Sequence, residues 1–119
     1  MLKAIDHVQL AMPRDGEDRA RQFYGAVLGL VEEPKPPVLA ARGGCWFADG
    51  GDGALRVHLG VDNDFRAAKK AHPAFRVAGL TAFVVERGLD VQWDDNVEGV
   101  ERCYVDDPFG NRIELIEPV

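Results

Sequence analysis

Little in this chain supports a disulfide framework, a membrane span or a polyanionic partner. Cysteine is scarce: Cys45 and Cys103 are the only two in 119 residues. Set in apolar, strand-like surroundings, they read as reduced core thiols of a cytoplasmic protein. No apolar run approaches the length needed to cross a bilayer. Met1-Leu2-Lys3-Ala4-Ile5-Asp6 lacks the apolar core of a signal peptide. Positive charge is in the minority, 14 Lys and Arg against 20 Asp and Glu, for a formal net charge of −6. Nucleic acids and anionic membranes both select for basic patches, so neither is an expected partner. No nucleophile triad, phosphate loop or Cys-x-x-Cys zinc signature is present.

What the chain has is alternation, clearest near its end. Residues 104–118, from Tyr104 to Pro118, read as strand, tight turn, strand. Pro108 presets φ for the first corner, and Gly110 and Asn111 tolerate positive φ. Ile113 and Leu115 then face a core, with Arg112, Glu114 and Ile116 on the opposite face. A carboxylate in mid-strand beside apolar neighbours must be solvated, paired or bound to a cation.

Earlier segments follow the same logic. Ala4 to Met12 alternates up to Pro13, which predicts a first strand with Ile5, His7, Gln9 and Ala11 on one face. A helix follows, capped near Asp15, with Ala20, Phe23, Tyr24, Val27 and Leu28 as its apolar stripe and Gly29 as its stop. Val31 to Pro34 reads as a short strand, Lys35-Pro36-Pro37 as loop and Gly44 to Ala48 as strand. Asp49 to Gly53 is a hairpin turn, and Ala54 to Val61 a strand with Arg56, His58 and Gly60 on one face. Trp46 and Trp93 read as packing residues. A polar connector, residues 62–71, is expected to hold a helical turn at Asp64 to Lys70. The second half repeats the order: strand His72 to Val77, helix Leu80 to Arg87 ending at Gly88, strands Val91 to Trp93 and Glu101 to Val105, and the closing hairpin.

The halves therefore share one plan, strand, helix, then further strands. His7 and His72 fall in the opening strands, His58 and Glu114 in the closing ones. Leu55-Arg56-Val57-His58-Leu59 also parallels Asn111-Arg112-Ile113-Glu114-Leu115. Such a unit cannot bury both faces alone. The expected fold is α+β: one domain over 1–119, built of two βαβββ modules (about 1–61 and 72–119, linker 62–71) in a curved mixed sheet. All three histidines and Glu114 fall on strand faces opposite the apolar residues. Three imidazoles and a carboxylate suit a borderline divalent cation. Taken singly, His7 is also a polar residue at a sheet edge, and His72, before Pro73, a loop residue. His58 is a ligand, a hydrogen-bonding neighbour of one, or pocket wall. Gln9, Arg56, Arg76, Tyr104 and Arg112 are candidate substrate contacts, the arginines for an anionic group.

Several strings resemble the vicinal oxygen chelate superfamily, which includes glyoxalase I, extradiol dioxygenases, fosfomycin-resistance enzymes and bleomycin-binding proteins. They are Ile5-Asp6-His7-Val8, Phe23-Tyr24-Gly25-x-x-Leu28-Gly29-Leu30 and Asp107-Pro108-Phe109-Gly110-Asn111-Arg112-Ile113-Glu114-Leu115. The resemblance implies paired βαβββ modules around one divalent metal (Zn, Ni, Co, Fe or Mn), with His7, His72 and Glu114 as ligands and His58 as a fourth. It implies a homodimer whose sites take His7 and His58 from one subunit and His72 and Glu114 from the other. It also implies glyoxalase-like lyase or isomerase chemistry on a small oxygen-chelating substrate, with Glu114 and His58 as catalytic groups. A histidine at 58 replaces the second carboxylate of glyoxalase I, so an imidazole base would act there. A metal-free binding protein of bleomycin-binding type, a one-domain extradiol-type dioxygenase and a fosfomycin-type transferase remain alternatives.

Overall fold

The computed structural model describes residues 1–119. The chain divides into two compact units, Met1–Ala67 and Ala68–Val119. Each carries one four-stranded mixed sheet, as the α+β module reading expects.

In the first unit β1 (Val8–Met12) lies parallel to β4 (Arg56–Val61). β4 pairs antiparallel with β3 (Cys45–Ala48), and β3 with the edge strand β2 (Val31–Glu33). β1 is shorter than its alternation suggested. Ala4 to His7 have no strand opposite them, since the parallel ladder begins at Val8 and Val57. His7 thus stands just before the strand. The helix starts as α1 (Glu17–Ala20), with Gly16 and not Asp15 at its cap, and widens into a π-helix over Arg21–Val27. Leu28 N–H donates to Phe23 O at 2.8 Å, the i to i−5 bond of that wider turn. Ala20 and Tyr24 are fully buried. Lys35-Pro36 is loop, but a short helix α2 (Pro37–Ala40) follows it. Pro37 opens that helix, where its missing N–H goes unneeded. The core holds Leu10, Met12, Tyr24, Phe47, Val57 and Leu59.

In the second unit β5 (Ala74–Arg76) lies parallel to β8 (Arg112–Pro118), followed by β7 (Val100–Asp106) and β6 (Gln92–Trp93), both antiparallel. Here too the histidine precedes its strand: Pro73, without an N–H, separates His72 from the ladder. The connector forms turns and no helix. Helix α3 (Leu80–Glu86) buries Leu80 and Val84. Glu117 caps it, accepting from the Gly79 and Leu80 N–H groups at 2.6 and 2.9 Å. The alternation of β7 and β8 is as read: Cys103, Val105, Ile113 and Leu115 are buried on one side. No helix of the chain is long and apolar enough to cross a membrane.

The closing turn is built by Asp107. Its Oδ1 accepts from Phe109 N–H at 2.9 Å and from Asn111 N–H at 2.8 Å, and its Oδ2 from Asn111 Nδ2 at 2.9 Å. Asn111, fully buried, also accepts from Ala68 N–H at 3.0 Å. Arg112 N–H returns to Ala68 O at 2.8 Å, and Glu114 N–H to Pro73 O at 3.0 Å. These bonds fix the segment leading into His72 against β8, which brings His72 to Glu114.

Candidate metal and substrate site

Register places the four candidate residues at matching positions. His58 stands opposite Gln9 on β1 and Trp46 on β3. Glu114 stands opposite Ala74 on β5 and Tyr104 on β7. His7 precedes Gln9 by two residues, as His72 precedes Ala74.

His72 and Glu114 meet directly, with Nε2 3.0 Å from Oε1. The other ring nitrogen of His72, Nδ1, lies 3.1 and 3.0 Å from the carbonyl oxygens of Lys69 and Lys70. Carbonyl oxygens only accept, so Nδ1 carries a proton. In the neutral ring Nε2 is then a lone pair aimed at a carboxylate oxygen. At 3.0 Å a proton on the ring joins the pair, and the same two atoms are close enough to serve as neighbouring ligands of one metal ion. An Nδ1–H bonded to a carbonyl, with Nε2 bare, is how metal-binding histidines are oriented. His7 is set the same way, its Nδ1 2.9 Å from Asp6 Oδ2. That hydrogen bond, foremost, holds the Asp6 carboxyl below its ordinary value. The donor set thus fits a divalent cation. Within one chain, however, no group of three or more His, Cys, Asp and Glu side chains is arranged to hold one. The two pairs belong to different units.

His58 has other company. It stacks on Trp46 with centroids 4.1 Å apart and on His7 at 4.0 Å. Two rings cannot share one face at that spacing, so His58 lies between them. Stacked rings direct their in-plane lone pairs side by side and not at one point. In this arrangement His58 and His7 present their ring nitrogens in near-parallel planes, with ring centroids 4.0 Å apart. Burial, with a further contribution from His7, pushes the His58 pKa below its ordinary value. The ring is therefore neutral near pH 7 and able to accept a proton.

These rings wall an open pocket of about 540 Å³, shared with Asp6, Gln9, Glu33, Pro34 and Arg56. Gln9 reaches across to Gly60, where an added Cβ would sit 2.6 Å from its Nε2. Arg56 ion-pairs at 3.7 Å with Asp6 and 3.6 Å with Glu33. In the second unit Tyr104 packs edge-on against His72, centroids 5.6 Å apart, and the Arg112 guanidinium lies 5.3 Å from the Tyr104 ring. Arg76 is exposed on β5.

Three residues were misjudged or missed from sequence. Trp46 is a pocket wall rather than packing, and Trp93 is half exposed beside a second pocket with Arg102. Arg102 contacts Glu114. Pairing the strands across each hairpin would have found Trp46 and Arg102, because both alternate outward, beside His58 and Glu114.

No family model matches the chain, and no curated protein does. Solved structures do. A protein of the glyoxalase family from Bacillus anthracis superposes with a TM-score of 0.93 at 45% identity, over 100% of this chain and 98% of that one. The fosfomycin resistance protein FosX from Listeria monocytogenes matches with TM-score 0.73 at 15% identity, over 100% and 96%. TnmS3, an antibiotic binding protein from Streptomyces sp. CB03234, matches with TM-score 0.73 at 23% identity, over 99% and 100%. At those lower identities the likeness is one of fold alone. The fold is that of the vicinal oxygen chelate superfamily. Within it, the chain belongs to the glyoxalase family.

Proposed function

We propose that this protein is a metal-dependent, glyoxalase-like enzyme that moves a proton on a small substrate with two neighbouring oxygens. His7, His72 and Glu114 would hold one divalent cation, which supplies Lewis acidity to the substrate oxygens. The observation that carries the reading is the facing pair His72 Nε2 and Glu114 Oε1 at 3.0 Å, with Nδ1 already committed to carbonyls. His58, neutral and walled by Trp46, takes the proton and returns it, which favours lyase or isomerase chemistry. Glu114 shares the catalytic work by holding charge at the reacting end. Gln9 and Arg56 beside His58, and Tyr104, Arg76 and Arg112 on the Glu114 sheet, are assigned to substrate. Two copies pair, and each site takes His7 and His58 from one protomer and His72 and Glu114 from its partner. The separation of the two pairs into different units supports this.

Metal analysis of protein purified without chelator tests the reading. One divalent ion per chain is expected, lost in Glu114→Ala and in His7→Ala. Mixing the two variants after subunit exchange should restore about one quarter of the sites, since only mixed dimers contain an intact one. A wild-type protein without stoichiometric metal would instead favour the second reading, a metal-free binder of small molecules. The aromatic wall of Trp46 and His58 is the feature that favours it.

A further inference from the structure

Glu114 has a second neighbour on β7. Arg102 Nη1 donates to Glu114 Oε2 at 3.4 Å, and its Nη2 donates to Asp94 Oδ2 at 2.9 Å. The side chains of Arg102, Asp94 and Glu114 are 21%, 18% and 11% exposed, so this chain of contacts is largely shielded from water. Arg102 Nε is buried with no partner. A side chain that leaves a buried donor unmet is held in place by its other contacts. Asp94 is itself fixed, accepting from Asn96 N–H at 2.9 Å. That bond, before the nearby Arg102, keeps its carboxyl below the ordinary range. The two oxygens of Glu114 are thus separated in role: Oε1 is turned to His72, and Oε2 is held by a guanidinium.

We infer that Arg102, anchored by Asp94, is a positioning residue that fixes the Glu114 carboxylate and thereby sets how tightly His72 and Glu114 take a divalent cation. This rests on the metal reading above. A lone positive charge beside a cation site would oppose binding. Paired with Asp94, Arg102 adds orientation with no net charge. The task also needs the arginine fork. Its two terminal nitrogens reach two carboxylates at once, whereas a lysine ammonium is a single point charge. Loss of a group that orients a metal ligand typically weakens binding about 10- to 100-fold.

The test uses Arg102→Lys, Arg102→Gln and Asp94→Asn in the full chain, with zinc affinity measured by competition against a chromophoric chelator. Arg102→Lys and Arg102→Gln should each weaken zinc binding about 10-fold or more, and Asp94→Asn by less. Arg102→Lys binding zinc as tightly as wild type would overturn the inference, because charge alone would then suffice. So would tighter binding by Arg102→Gln, which would make the arginine merely repulsive. A second measurement works without metal. In chelator, Arg102→Gln and Glu114→Gln, singly and combined, should shift the urea midpoint non-additively. Strict additivity would overturn the contact itself. Absence of zinc uptake by wild type would sink the metal reading and this inference together; normal wild-type uptake with an unaltered Arg102→Lys would sink this inference alone.

Discussion

The two sheets hold their polar groups at matching addresses and treat them in opposite ways. In the first unit the closing strand offers His58, and its surroundings are rings: Trp46 opposite and His7 above. In the second the same position is Glu114, and its surroundings are charges and donors: His72 and Arg102. One half sets its closing-strand side chain among aromatic rings, the other in an ionic cluster. Topology decides where a side chain stands. The residue across the ladder, Trp46 in one unit and Tyr104 in the other, and the residues alongside decide what it can do there.

The largest effect that separates the units should come from glycines. Gly44, with φ +83°, would place a Cβ 2.1 Å from Leu59 O, against backbone that cannot yield. Gly88, with φ +61°, would meet nothing within 4 Å. Gly44→Ala should therefore cost at least about 3 kcal/mol, and Gly88→Ala only about 1 kcal/mol, in urea unfolding. Equal costs would show that space at Gly44 is not what matters. A smaller contrast lies in the polar pair. In chelator, Glu114→Gln gives up charged partners and should cost about 2 kcal/mol, while His58→Gln gives up ring stacking and should cost about 1 kcal/mol. A reversed order in urea unfolding would contradict the ionic and aromatic assignments.

The smallest effect is one of pH. The Leu80 and Gly79 N–H groups hold the Glu117 carboxyl below its ordinary value of 4.5. Its stabilisation is thus fully present above that ordinary value and is lost as pH falls through the lowered one. Wild type should lose stability across this acid window more steeply than Glu117→Gln. Parallel pH profiles of the unfolding midpoint would remove Glu117 from the account.

Local chemistry made much of this legible from sequence. The Asp107 to Asn111 turn and the alternation after it depend on neighbouring residues alone, and so does the Gly88 stop after α3. The repeat was readable because both halves share one order of elements and Leu55 to Leu59, around His58, parallels Asn111 to Leu115, around Glu114. What depends on a partner strand was not readable. Ala4 to His7 alternate as a strand would, but nothing lies opposite them. Arg102 and Trp46 acquire meaning only once cross-strand register is known. The π-helix was hidden for another reason: Ala20 and Tyr24 lie about one turn apart at either pitch, so their burial does not distinguish the two.

Gly60 is outside the lining of the His58 pocket, two residues along β4 from His58, yet its lack of a side chain gives the Gln9 amide its berth. A single methyl group added there would displace that amide and reshape the cavity Gln9 lines. Under the proposed function, where Gln9 contacts substrate, preference would be adjustable from a strand position outside that pocket's lining, which gives selection, or an engineer, a lever that leaves the reacting groups alone.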